Sequence, residues 1–269
     1  MIYKKSQAGF IMLVFLVVII GAAGYYYYFL NNGNNPFGSQ NNGRVVFAIT
    51  DAATNMQSVS QVLVTVESIQ THSTIDGWVN VSSSAKTFDL LVLKSQNKLE
   101  LIADSNVKPG NYDQVRMQIS KVIVVDSSGE HEAKLPSNRL KINTELEIKE
   151  DATATAVFDF IADESLHVTG NGKYILAPVI QVETRSDADV NLENNNAVVI
   201  KGGNVKSNKK VGMDASGNVD VNLNIPADAD IDIDTEGKIK VKSTTNRREE
   251  KCGNNICEKG EADVSGRCG

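Results

Sequence analysis

Four aspartates near the end of the sequence alternate with other residues in a pattern suited either to metal binding or to an exposed strand. They are Asp228, Asp230, Asp232 and Asp234. In a β-strand all four would lie on one face, with Ile231 and Ile233 on the other, and carboxylate oxygens suit Ca²⁺. Charges on an edge strand also discourage pairing between molecules, and no EF-hand spacing accompanies the aspartates. We therefore expect an edge strand and no cofactor, with a Ca²⁺ site as the alternative.

The three cysteines, Cys252, Cys257 and Cys268, all lie near the end of the sequence. In an exported tail they would form disulfides, and their odd number leaves one thiol for a bond to another chain. A zinc site is not expected, because the tail has no CxxC pair and no nearby histidine.

The histidines do not indicate catalysis. His72, His131 and His167 are far apart in the sequence and belong to no recognisable motif. No Gly-x-Ser-x-Gly turn or phosphate-binding loop occurs, so we expect no enzyme activity unless a triad assembles in space. Trp78 could stack on a sugar ring, but a single tryptophan that opens a strand is more often part of the core. We therefore expect Trp78 in the core.

Residues 8–30 carry no charge and predict a transmembrane helix. At 1.5 Å per residue this segment would be about 34 Å long, enough for a hydrocarbon layer of about 30 Å. Lys4 and Lys5 precede it, and the next charge is Arg44, so the positive-inside rule places the N-terminus in the cytoplasm. Residues 25–28, all tyrosine, suit the outer interface. We expect a single-pass protein of the cell membrane with an extracytoplasmic body.

Two other interpretations of the N-terminus stay open. In the first, Phe10–Ile20 is the apolar part of a signal peptide that is cleaved at Ala22-Ala23-Gly24. In the second, Gly9-Phe10 and the apolar run resemble a type IV pilin signal, which implies a filament subunit. Val14 stands where that family usually has a glutamate, and the helix is expected to end at Asn31.

The rest of the sequence predicts an all-β body. Residues 31–43 form an Asn/Gly-rich linker, and short β-rich segments separated by turns then run from 44 to 187. The clearest is Tyr112–Asp126, where apolar and polar residues alternate. A strand is also expected at Thr87–Leu93, although the stretch from Leu90 onward could hold a helical turn or two. Frequent turns without a long helical period favour an antiparallel β-sandwich.

Several motifs in this region resemble the prokaryotic family called domain of unknown function 4382 (DUF4382). They are Thr50-Asp51-Ala52, the strand Val62–Val66, Trp78, Phe88-Asp89-Leu90-Leu91, Pro109-Gly110-Asn111-Tyr112 before Val115-Arg116-Met117, and Pro178-Val179-Ile180. Ala53 replaces the proline that usually follows the first motif. The resemblance implies an exported β-rich domain, often behind a lipid or helix anchor, and no known activity.

Two further segments follow this domain. Residues 188–242 predict a small second β region with short strands at 198–200, 219–225, 231–234 and 239–241. Residues 243–269 form a charged tail. Its cysteines resemble short surface repeats that begin Cys-Gly-Asn-x-x-Cys-Glu-x-Gly-Glu. Those repeats normally carry further cysteines, and Asp263 stands in the place of the next one.

The sequence as a whole favours a structural or adhesion-type binding protein of the cell envelope. The net charge of −6 gives no support for nucleic acid or anionic lipid as a partner, which leaves the bilayer around residues 8–30 and an envelope glycan or protein. The alternatives are a pilin-like subunit and an enzyme that acts on a surface polymer.

Overall fold

The computed structural model describes residues 18–21, 24–28, 41–52, 56 and 58–242. Residues 18–21 and 24–28 are helical, and within the described residues no helix is both long and apolar enough to cross a membrane. Most of the transmembrane helix predicted at 8–30, most of the linker and the whole cysteine-containing tail lie outside the described residues.

The described part of the body forms sixteen strands and three short helical segments. The strands are β1 (Gly43–Asp51), β2 (Val59–Ser73), β3 (Gly77–Ser82), β4 (Lys86–Asp89), β5 (Glu100–Val107), β6 (Gly110–Asp126), β7 (Gly129–Glu132), β8 (Arg139–Ile148), β9 (Thr153–Phe160), β10 (Leu166–Val168), β11 (Tyr174–Leu176), β12 (Val179–Leu192), β13 (Val198–Met213), β14 (Val219–Asp220), β15 (Asp230–Ile233) and β16 (Ile239–Lys242). The helices are α1 (Leu90–Gln96) and α2 (Ala162–Ser165), with a 3₁₀ turn at Asn194–Asn196. The predicted all-β class is confirmed.

Two six-stranded sheets share one hydrophobic core. The first has the order β14-β13-β12-β9-β1-β5, and the second contains β3-β2-β6-β7, with β4 pairing with β2 and β8 with β6. Side chains from both sheets meet in the largest apolar cluster, in which Phe47 of β1 stacks on Phe158 of β9. The core thus lies between the sheets, and each sheet has a second face that points away from it.

Strand β1 is apolar on both faces. Val45, Phe47 and Ile49 enter the shared core, whereas Val46 and Ala48 belong to a separate cluster on the other side of the first sheet. β1 pairs antiparallel with β5 but parallel with β9. This is the exception, among the strand pairs of the described residues, to the predicted antiparallel arrangement. A strand covered on both faces is typically a continuous apolar run, as VVFAI is.

The second sheet has one apolar and one polar face, as the alternation in β6 predicts. Val115, Met117 and Ile119 are buried, while Arg116 and Gln118 are partly exposed on the opposite face. β8 repeats the pattern, with its odd-numbered residues from 139 to 145 exposed. The polar face of the second sheet is therefore open to solvent.

The strand predicted at Thr87–Leu93 is wrong in its second half. β4 ends at Asp89, whose carboxylate accepts hydrogen bonds from the backbone N–H groups of Leu91 and Val92. An aspartate in this position caps a helix, so the chain turns into α1, as one of the two interpretations of this stretch allowed.

The boundary predicted between residues 187 and 188 falls inside β12, which continues to Leu192. β13 is much longer than the strand predicted at 198–200, and it pairs with β12 along its length. The first part of the predicted second region thus extends the first sheet. Its sequence, rich in glycine, lysine and asparagine, carries little apolar signal, because β13 is close to an edge of that sheet.

The last strands form a small hairpin with its own apolar cluster. Ile231 of β15 packs with Ile225 against Ile175 and Ala177. Of the predicted strand 219–225, only Val219–Asp220 pairs with β13, while the strands predicted at 231–234 and 239–241 correspond to β15 and β16.

Candidate functional site

The four aspartates of the predicted ladder do not share one strand face. Asp230 and Asp232 lie in β15, Asp228 precedes the strand in a turn, and Asp234 follows it. Asp230 lies 3.6 Å from the Lys242 ammonium group, and Asp234 lies 3.2 Å from that of Lys240. Across the described residues, no group of three or more His, Cys, Asp or Glu side chains is arranged to hold a metal ion. The candidate disulfide residues lie outside the described part of the chain.

Asp234 also holds the turn between β15 and β16. Its Oδ1 accepts hydrogen bonds from the backbone N–H groups of Glu236 and Lys238. These bonds, led by the one from Lys238, keep the pKa of Asp234 below its usual value. The sequence pattern singled out Asp234 as one of four alternating carboxylates but did not show that it stabilises a turn. That role depends on the end of β15 at Ile233.

The turn between β6 and β7 brings a serine, a histidine and an aspartate together. Ser128 Oγ lies 2.7 Å from Asp126 Oδ1 and 2.8 Å from His131 Nε2. His131 Nε2 is itself 3.1 Å from Asp126 Oδ1, and the Tyr174 hydroxyl donates to Asp126 Oδ2 over 2.7 Å. The residue types are those of a catalytic triad, so the direction of each hydrogen bond decides what the cluster does.

The proton positions favour a structural role for this turn. Hydrogen bonds from Ser128, Tyr174 and His131 hold the pKa of Asp126 well below its usual range, so the carboxylate is ionised and only accepts. With the imidazole proton assigned to His131 Nε2, the tautomer that an ionised neighbour favours, the Ser128 hydroxyl and the Nε2–H both point to Asp126. A nucleophilic serine instead needs an unprotonated histidine nitrogen as its base. This cluster therefore ties the turn to β11 and does not activate Ser128.

The other two histidines lie in different surroundings. His167 in β10 is buried, and burial lowers its pKa, which favours the neutral form of the ring. His72 in β2 lies on the polar face of the second sheet, with its Nδ1 2.7 Å from Asp113 and its ring 5.0 Å from that of Trp78.

Trp78 is not in the core, contrary to the prediction. It opens β3 opposite His72, on the polar face of the second sheet, and is half-buried there. The guanidinium group of Arg116 lies 3.7 Å from the centre of the Trp78 ring, a distance typical of a cation–π contact. A tryptophan at an edge strand can be covered by a long neighbouring side chain instead of a second sheet, and the sequence gives no sign of which occurs.

Three cations lie side by side on this face. Arg116 in β6 is directly opposite Lys141 in β8, and Arg139 is opposite the next outward residue, Gln118. Burial and the charge of Arg139 lower the pKa of Arg116, and Arg116 donates to the neutral side chain of Gln70. Within the described residues, none of the three cations forms a salt bridge. We call Trp78, Arg116, Arg139 and Lys141 the cationic face.

A recess of about 340 Å³ adjoins the cationic face. Arg139 and Lys141 line it together with the amides of Gln114 and Asn143, and the turn at Gly217-Asn218 forms its far wall. Cations and amides that converge on an open recess can bind an anion by charge and by hydrogen bonds. The sequence did not reveal this site, because the residues come from strands far apart in the chain and the net charge is negative.

The protein is thus mainly β, with two sheets around one core and a basic, partly aromatic face on the second sheet. The chain belongs to the family described as domain of unknown function (DUF4382), which matches residues 42–178. The resemblance noted from the sequence is therefore confirmed, and all residues of the cationic face lie within the matched region. No curated protein and no solved structure matches the chain.

Replacement of Tyr174 by Phe should raise the pKa of Asp126, because it removes one donor to the carboxylate. In the unmodified chain, ¹³C NMR should find Asp126 still ionised at about pH 3. A folded-state pKa below the unfolded value of 3.8 adds stability that is present above that value and is lost as the pH falls through the folded pKa. Y174F should therefore lose acid stability at higher pH than the unmodified chain.

The matched control is Y112F, because the Tyr112 hydroxyl donates to the backbone carbonyl of Lys108 and does not contact Asp126. An equal pKa of Asp126 in both variants would show that the Tyr174 hydrogen bond does not hold the carboxylate.

Proposed function

We propose that this chain is a membrane-anchored, extracytoplasmic binding protein of the cell envelope, and that its cationic face binds an acidic glycan. The observation that carries the proposal is a group of three cations beside Trp78, on a solvent-facing sheet, that have no carboxylate partner in the described part of the chain. In this proposal, the body of the protein is a β-sandwich that lies outside the cytoplasm. The transmembrane helix is the segment predicted at residues 8–30.

Charge supports an anionic ligand. Neighbouring cations repel one another, which costs the folded state a few tenths of a kcal/mol per pair. Elsewhere on the body, several lysines and arginines are paired with carboxylates, for example Arg44 with Asp104 and Lys149 with Asp187. A bound anion would neutralise Arg116, Arg139 and Lys141 together and so remove this repulsion.

The shape and composition of the face support a glycan in particular. The strands β2, β6 and β8 present a broad row of side chains, and amides at Gln70, Gln114 and Asn143 lie among the cations. Amides can donate to and accept from sugar hydroxyls, while Arg can bind a carboxylate through two parallel hydrogen bonds. A sugar chain with carboxylate groups offers both kinds of partner.

Loss of two cations should weaken the binding of an acidic oligosaccharide. We expect the full chain to bind a uronic acid oligosaccharide in calorimetry and to bind its carboxyl-reduced, neutral form much more weakly. The double variant R139Q/K141Q should weaken binding of the acidic form by about tenfold or more, because it removes two charge-assisted hydrogen bonds. Added salt should weaken the binding of the unmodified chain.

The control is the double variant K201Q/K209Q, which makes the same change in net charge on β13 of the first sheet. It should leave the affinity close to that of the unmodified chain. Equal losses of affinity in both double variants would show that the oligosaccharide is held by non-specific charge attraction and not by the cationic face. Equal affinities for the acidic and neutral oligosaccharides would contradict the proposed ligand.

The membrane anchor and orientation have a separate test. Protease added to intact cells should release a fragment that contains Trp78, because everything after the anchor is expected to face outward. Protection of this fragment until the cells are lysed would reverse the orientation and exclude an envelope ligand.

A further inference from the structure

The hairpin of β12 and β13 extends over the outward face of the first sheet. Residues 186–204, which we call the arch, follow a β-bulge between Thr184 and Arg185, and such bulges bend a strand. Opposite this bend, Gly203 has a φ of +79°, and a Cβ there would lie 2.9 Å from the carbonyl oxygen of Ser186. Only glycine suits both the conformation and the close approach.

The tip of the arch is fixed to the segment before β5. The backbone N–H of Val198 donates to the backbone carbonyl of Leu99, and the Lys98 ammonium group donates to the carbonyl of Asn195. Val198 also packs on Val46 and Ala48 of β1. The arch is therefore closed at both ends, which leaves a recess beneath it.

This recess has a volume of about 330 Å³ and mixed walls. Leu99, Val157 and Ile200 form an apolar wall, and the polar residues that line it are Thr50, Asp159, Gln181, Glu183, Arg185 and Asn208. An apolar wall with a few convergent polar groups is typical of a small-molecule site, and the volume is near the lower end of the usual range of about 300–1,000 Å³.

Most polar groups of the recess are bonded to one another. Glu183 accepts from Arg185 Nε over 2.7 Å and from the amide of Asn208 over 3.3 Å. Gln181 donates from its amide nitrogen to Asn208, and Arg185 also donates to the carbonyl of Gly202. The charge of Glu183 is thus matched within the recess.

Asp159 is different, because its Oδ1 is buried and has no hydrogen-bond partner among the described residues. Burial raises the pKa of Asp159 more than the charge of Lys94 lowers it. Lys94 does not bond to this carboxyl group but donates to the carbonyl of Ala52 over 3.3 Å. Asp159 is therefore an acceptor of the recess to which no described residue donates.

We propose that the recess beneath the arch binds a small primary amine, with its ammonium group against Asp159 and its carbon body against Leu99, Val157 and Ile200. Only Oδ1 of the Asp159 carboxylate is buried, and Oδ2 is the oxygen that can face the ligand. An ammonium group has three hydrogen-bond donors and no acceptor. It therefore suits the Asp159 carboxylate, which is an acceptor without a donor among the described residues. The carbonyl oxygen of Gln181 and the hydroxyl of Thr50 can accept the remaining donors. This site does not depend on the proposed glycan ligand.

Matched pairs of amines and alcohols test the proposal on the full chain. Calorimetry with glucosamine and glucose, and with butylamine and 1-butanol, compares an ammonium with a hydroxyl group on nearly the same body. At least one amine should bind about tenfold or more tightly than its alcohol, because a charge-assisted hydrogen bond is lost in the alcohol. The amine with the higher affinity shows which kind of ligand carries the ammonium group in nature. Glucosamine stands for an amino sugar, and butylamine stands for an aliphatic amine such as a lysine side chain.

Two variants locate the binding. D159N should reduce amine affinity to that of the alcohol, whereas D189N, which removes an exposed carboxylate from the arch, should leave it unchanged. Trp78 fluorescence should not respond to the amine, because Trp78 lies on the other sheet. The proposal is overturned if neither amine binds more tightly than its alcohol, or if D189N lowers amine affinity as much as D159N does. The amine–alcohol comparison uses the unmodified chain, so it decides the matter even if D159N does not fold.

Discussion

The double-sided apolar character of β1 is the constraint on which the rest of the structure depends. Exposure of Val46 and Ala48 would cost about 25 cal/mol for each Å² of apolar surface left in water. The second sheet covers one face of β1, and the arch covers the other. β1 also joins distant parts of the chain, because it pairs with β5 on one edge and with β9 on the other.

This constraint divides the molecule into surfaces of different character. The first sheet needs a cover on its outward side, and the arch that provides it leaves a recess lined by strands β9, β12 and β13. The second sheet needs no such cover, because the alternation in β6 and β8 has already placed polar residues on its outer face. An open, polar sheet face can present cations to a ligand, whereas a recess under a hairpin can keep a carboxylate partly out of water.

The sequence predicted those features that depend on local pattern and left out those that depend on distant pairing. Alternation in Tyr112–Asp126 predicted β6 and its buried face, and the motifs from Thr50 to Ile180 indicated the family. β4 ends at Asp89 because this residue caps a helix. In the sequence alone, an aspartate at this position is equally compatible with a polar residue inside a longer strand. The length of β13 and the grouping of Arg116, Arg139 and Lys141 depend on strand register, which no short segment reveals. The turn between β6 and β7 also brings Ser128 and His131 together. The direction of their hydrogen bonds depends on the ionised carboxylate of Asp126, which the sequence does not place beside them.

The fluorescence of Trp78, the only tryptophan in the chain, tests the central claim most directly. Its ring lies against Arg116, so a ligand that binds the cationic face changes its surroundings. Titration with a uronic acid oligosaccharide should shift or quench this emission in a saturable way, and the carboxyl-reduced form should not. Calorimetric binding of the acidic oligosaccharide without any change in Trp78 emission would place the ligand elsewhere and contradict the account.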